Sequence, residues 1–178
     1  MLVGFYYCLN AGCTGGSDTV TSSVADTTSN SYTSACGTSG TVALGIHSYW
    51  TIPTSGSNTV TVTTGSTVYF LTVFAEEFTG STSSPLDQCV AVNATSTNPT
   101  VTTSGPLAQS NEILYGLVDA QGTVTAGSGF TKITQAPSGA NSIDEYQVGG
   151  TSGTTATINF TDSTSANYAI LGITLKHP

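Results

Sequence analysis

The chain has 178 residues, the length of one ordinary domain or one large β-sandwich, and can bury a core without help. Only 7% of it is charged, with ten Asp plus Glu against two lysines and no arginine, for a formal net charge of −8. Nucleic-acid binding and adsorption to an anionic membrane surface both depend on cationic side chains, so this balance argues against either partner.

Thr, Ser and Gly dominate, the aliphatic residues lean towards Val and Ile, and no window keeps a 3.6-residue apolar period. The expectation is an all-β chain with essentially no helix, folded as one domain over 1–178. Nothing is apolar for long enough to span a membrane. Met1 leads into LVGFYYCL with no basic segment before it and no small-residue cleavage site after it, so no signal peptide is read in this sequence. A surface of hydroxyls rather than charges suits an extracellular or cell-surface protein.

Residues 2–9 read as a fully buried strand, with Phe5 and Tyr7 on one face and Tyr6 and Cys8 on the other. A Gly-containing turn follows, then weakly alternating segments around Val20 and Val24 and a turn at 27–30, where Asp and Asn supply side-chain to backbone bonds. Residues 41–50 alternate clearly, placing Leu44 and Ile46 on one face and His47 and Tyr49 on the other. Segment 58–64 puts Val60 and Val62 inward. The stretch 67–80, TVYFLTVFAEEFTG, is apolar on both faces and is expected to be a central strand.

Further strands are expected at 86–93, 99–103 and 111–120. A Gly-rich bend, AGSGF, precedes 142–148, which carries the exposed-looking pair Asp144 and Glu145. Segments 154–161 and 167–176 read as a closing hairpin with its turn at 162–165. About a dozen short strands at this spacing indicate a two-layer antiparallel β-sandwich, most simply of jelly-roll type.

The cysteines Cys8, Cys13, Cys36 and Cys89 form no zinc or redox CxxC pattern, so structural disulfides in an oxidising compartment are expected. Cys8 and Cys13 flank a short bend that one disulfide would close, leaving Cys36 and Cys89 to pair; buried free thiols are the alternative.

No catalytic set is evident. His47 and His177 are far apart and no serine sits in a GxSxG elbow. Glu76 and Glu77 are neighbours on one strand and point to opposite faces, as do Asp144 and Glu145, whereas a glycosidase needs two carboxylates about 5 to 10 Å apart across one bond. The chain is therefore read as a non-enzyme with no cofactor. If an ion binds, calcium is the natural one, with Asp18, Asp26 and Asp162 as candidates, although none lies in a DxDxDG run. Two sequons, at Asn93 and Asn159, make those residues candidate glycosylation sites.

The succession ADTTSNSYT, a strand ending in Tyr49-Trp50, SGSNTVTVT, FAEEFTG with SSPLD, AGSGF, DEYQ and the closing NYAILGITLKHP resembles a group of secreted microbial jelly-roll modules. Such modules usually begin with an additional strand before the one matching LVGFYYCL. The resemblance thus implies a sandwich one strand short, completed by an identical subunit in the manner of donor-strand fibres. Leu2, Val3, Phe5, Tyr6 and Tyr7 are the candidate inter-subunit strand, and a homopolymer is the implied assembly. The alternative is a carbohydrate-binding or adhesive module that takes glycans by stacking them on Trp50, Tyr49, Tyr32 or Tyr146.

Overall fold

A computed structural model describes residues 1–13, 20–38, 43–136 and 141–178. Among the described residues there are fourteen strands and no helix. Every strand pairing is antiparallel. The architecture is an all-β one of sandwich type, as the alternation of Val, Ile and Thr dictates. The residues group into two compact units, Met1–Thr79 and Gly80–Pro178.

Unit 1 holds β1 (Leu2–Cys8), β2 (Ser22–Asp26), β3 (Thr33–Gly37), β4 (Leu44–Trp50), β5 (Val60–Thr64) and β6 (Phe70–Glu76). They form a four-stranded sheet in the order β3-β4-β1-β6 and a two-stranded sheet, β2-β5. Val3, Phe5 and Tyr7 of β1 are the buried centre of the core between these sheets. Val24, Tyr49, Val60, Val62 and Leu71 pack around them.

The stretch expected to be central is not. β6 is the edge of its sheet, and Tyr69 and Val73 are 65% and 41% exposed. The interior position belongs to β1, all seven residues of which are buried. Apolarity on both faces is common to the two segments, and the order of strands in the sheet, which is a long-range property, decides between them.

Unit 2 holds β7 (Leu86–Ser96), β8 (Thr100–Thr102), β9 (Glu112–Ala120), β10 (Val124–Ala126), β11 (Thr131–Gln135), β12 (Ser142–Gly149), β13 (Thr157–Asp162) and β14 (Ala166–Leu175). A five-stranded sheet, β11-β12-β9-β14-β7, faces a three-stranded one, β10-β13-β8. Val101, Leu114, Val118, Val124, Ile143, Ile158, Phe160 and Ile170 fill the space between.

Two expectations fail in unit 2. Segments 154–161 and 167–176 do not form a hairpin: β13 pairs with β8 and β10, and β14 with β7 and β9. The turn between them carries the chain from one layer to the other, a crossing that local sequence does not distinguish from a hairpin. Asp144 and Glu145 are fully buried rather than exposed, because β12 is an internal strand between β11 and β9 and its first half, Ser142 to Glu145, is buried on both sides.

Candidate functional site

β1 occupies a slot between β4 and β6. Its register is continuous on both sides, from Leu2 opposite Trp50 and Glu76 to Cys8 opposite Leu44 and Phe70. At one end of the slot Thr51 N donates to the Met1 carbonyl at 3.0 Å. At the other, Leu9 N donates to Ala43 O at 2.9 Å and Tyr69 N to Cys8 O at 2.7 Å. A disulfide joins Cys8 to Cys13 directly after the strand.

The side chains of β1 are held as firmly as its backbone. Phe5 lies parallel to His47 and Tyr49 of β4, with ring centroids 5.7 and 6.1 Å away. The Tyr7 hydroxyl is 2.9 Å from His47 Nε2. Gly45 must be glycine for this, since a Cβ there would overlap the Tyr7 ring. On the opposite face Tyr6 meets Phe70 edge-on at 5.7 Å and Phe74 at 6.3 Å. Burying Leu2, Val3, Phe5, Tyr6 and Tyr7 contributes on the order of 10 kcal/mol at about 1.5–3 kcal/mol per large apolar side chain. All five residues expected to form an inter-subunit strand are thus paired within the chain, on both edges.

The aromatic residues considered for sugar stacking are not gathered into one platform. Tyr49 is used in the core: its ring stacks on Phe5 and its hydroxyl donates to Ser22 O at 2.6 Å. Trp50 follows it on the other face of β4, half-buried, with its indole Nε1 buried and unpartnered. Tyr146 lies in unit 2, on β12 opposite Tyr115. Tyr32 donates its hydroxyl to Asp26 at 2.8 Å. The most exposed aromatic side chain, Tyr69, escapes a reading of the sequence because its segment is apolar on both faces.

Asp26 closes β2 and is surrounded by donors. The backbone N–H groups of Thr28 and Asn30 and the side chains of Thr28, Asn30, Asn58 and Tyr32 all reach its carboxylate, at 2.7 to 3.2 Å. Desolvation pushes its carboxyl up, but these bonds, those of Asn58 and Asn30 foremost, outweigh it and hold the group well below the usual carboxylate range. With both oxygens so occupied, Asp26 acts as the knot that ties the 27–32 turn to Asn58 rather than as a free cation ligand.

Asp162 is buried and accepts the Thr164 N–H at 3.1 Å through Oδ1. Asp18 lies outside the described residues. Among the described residues there is no group of three or more His, Cys, Asp or Glu that could hold a metal, and no helix long and apolar enough to cross a membrane.

Unit 2 instead carries a set of buried carboxylates. Asp119 accepts a bond from Ser142 Oγ, and burial pushes its carboxyl up to about 7. Asp144 accepts from Tyr115 Oη at 3.2 Å and Thr134 N at 2.7 Å. Glu145 accepts from Gly127 N at 2.8 Å, and burial, with the neighbouring Asp144 charge adding to it, pushes its carboxyl up to about 8. Burial likewise raises Glu112.

Both sequon asparagines are half-buried strand residues. Asn93 stands opposite Ala169 on β7, and Thr95 of its sequon donates to Asn167 Oδ1 at 2.6 Å. Asn159 stands opposite Thr100 on β13, with its Oδ1 buried. None of the described cysteines is free, which fits a non-reducing environment. No protein-family model, curated protein or solved structure matches this chain.

Proposed function

We propose that the chain is a structural subunit of an extracellular filament or surface assembly, in which the slot between β4 and β6 takes the 2–8 strand of an identical subunit. The observation that carries this reading is the position of β1. It is buried at every residue and lies between β4 and β6, the strand through which they are joined in their sheet. A strand held this way makes the same register and the same apolar contacts whether it comes from its own chain or from a neighbour. Exchange from the closed arrangement therefore costs little beyond opening the slot, and a head-to-tail repeat of it propagates a fibre. The hydroxyl-rich surface and the oxidised cysteines support an extracellular setting. The glycan-binding alternative has less support, because Tyr49 is spent in the core and Tyr146 belongs to the other unit.

Val3 stands opposite Ala75 in the β1–β6 register, which supplies the test. Val3→Cys and Ala75→Cys chains are unfolded, mixed, refolded and oxidised. Strand exchange predicts covalent dimers containing one chain of each kind, alongside fibres of the unmodified protein by negative-stain microscopy. Monomers alone from the mixture, with an efficient internal bridge in the Val3→Cys/Ala75→Cys double variant, would remove the proposal.

A further inference from the structure

The Gly-rich bend after β10 covers the one carboxylate of unit 2 that faces its sandwich interior from the middle of β12. Glu145 shares a face with the core residue Ile143 and is fully buried. Its Oε2 accepts the Gly127 N–H, and its Oε1 has no partner. Asn159 reaches the same glycine from β13: a Cβ on Gly127 would overlap both the carbonyl oxygen and Oδ1 of Asn159. That Oδ1 is also buried and unpartnered.

Buried polar atoms are nearly always satisfied, and Glu145 Oε1 and Asn159 Oδ1, on the two side chains that meet at Gly127, are two buried oxygens with no hydrogen-bond partner. Lys132, opposite Glu145 on β11, is exposed and gives its ammonium to Gln135 Oε1 at 3.2 Å. Asp144 points to the other face of β12, where Tyr115 and Thr134 hold it, and adds only negative charge.

We propose that Glu145 and Asn159, brought together over Gly127, bind a hard divalent cation of the calcium type. A carboxylate oxygen, an amide oxygen and a backbone carbonyl are the donors such an ion takes, and the all-oxygen character of this set selects against zinc. Gly127 is the residue that makes the approach possible. Binding displaces the proton that burial holds on Glu145, so affinity rises with pH.

The experiment uses calcium chloride as the probe on the full chain at pH 8. Calorimetry is expected to show one site per chain with release of protons, and melting in calcium to exceed melting in chelator. Glu145→Gln and Asn159→Ala should each weaken binding at least tenfold. Calcium binding without proton release, or an unchanged affinity in Glu145→Gln, would place the ion elsewhere and overturn the proposal. So would melting temperatures that fall with rising pH equally in calcium and in chelator, the behaviour of a proton alone at Glu145. The proton measurement on the unsubstituted chain decides the matter even if a variant fails to fold.

Discussion

Gly116 of β9 stands directly opposite Gly172 of β14, and together they leave a trough in the five-stranded sheet that is filled from the facing layer by Ile158. A Cβ on Gly116 would come within 2.6 Å of Ile158 Cγ2. One on Gly172 would come within 2.7 Å of Val101 and 2.8 Å of Ile158 Cδ1. Side-chain atoms on both sheets are already in contact here, so added volume has nowhere to go.

Gly172→Val is therefore expected to destabilise unit 2 by about 1–3 kcal/mol through overpacking. Pairing it with Ile158→Ala should return part of the loss, because it removes the Ile158 Cδ1 collision and leaves the one with Val101. Denaturant unfolding of the two single variants and the double variant measures this coupling directly.

In unit 1 the corresponding probe is Phe5, fully buried between His47 and Tyr49. Phe5→Ala leaves a cavity at the centre of the slot and should cost about 3–5 kcal/mol. Hydrogen exchange of the β1 and β6 amides is the appropriate readout. Protection should fall in both strands, while β12 and β14 amides report any effect on the other unit.

Acid should weaken unit 1 through Asp26. Its folded-state carboxyl lies below the unfolded value of about 3.9, so its contribution is complete above that pH and is lost as pH falls through the folded value. Asp26→Asn should flatten this acid limb and lower stability at neutral pH. Unfolding curves between pH 2 and 7 test both statements.

The buried acids of unit 2 have the opposite sign. Burial raises Asp119 to about 7 and Glu145 to about 8, so the folded chain keeps protons that the unfolded chain releases near pH 4. Stability is greatest below that pH and declines as pH rises towards 7 to 8. In the presence of a chelator the melting temperature should be higher at pH 5 than at pH 8.5. Asp119→Asn and Glu145→Gln should each reduce the difference.

Much of the secondary structure is legible in the sequence because alternation reports it. The inward Val60 and Val62, the opposed faces of β4 and the turn after Asp26 follow from residue type at period two and from local side-chain bonds. Cys8 and Cys13 are close enough in sequence for their bridge to be foreseen. What alternation does not encode is which strand lies beside which. The exchange of roles between β1 and β6, the crossing from β13 to β14 and the burial of Asp144 and Glu145 all depend on sheet order, set by contacts tens of residues apart. The cradle at Gly127 is visible in the sequence only as a Gly-rich bend, since nothing local ties it to Asn159 or Glu145.

The scarcity of basic side chains bears on proteolysis as well as on charge. Lys132 on β11 and Lys176 just beyond β14 are the only positions where a trypsin-like protease could cut. Lys132 is exposed on a strand at the rim of its sheet. Digestive enzymes of that specificity, and reagents that couple through amines, meet a surface that gives them almost nothing to hold.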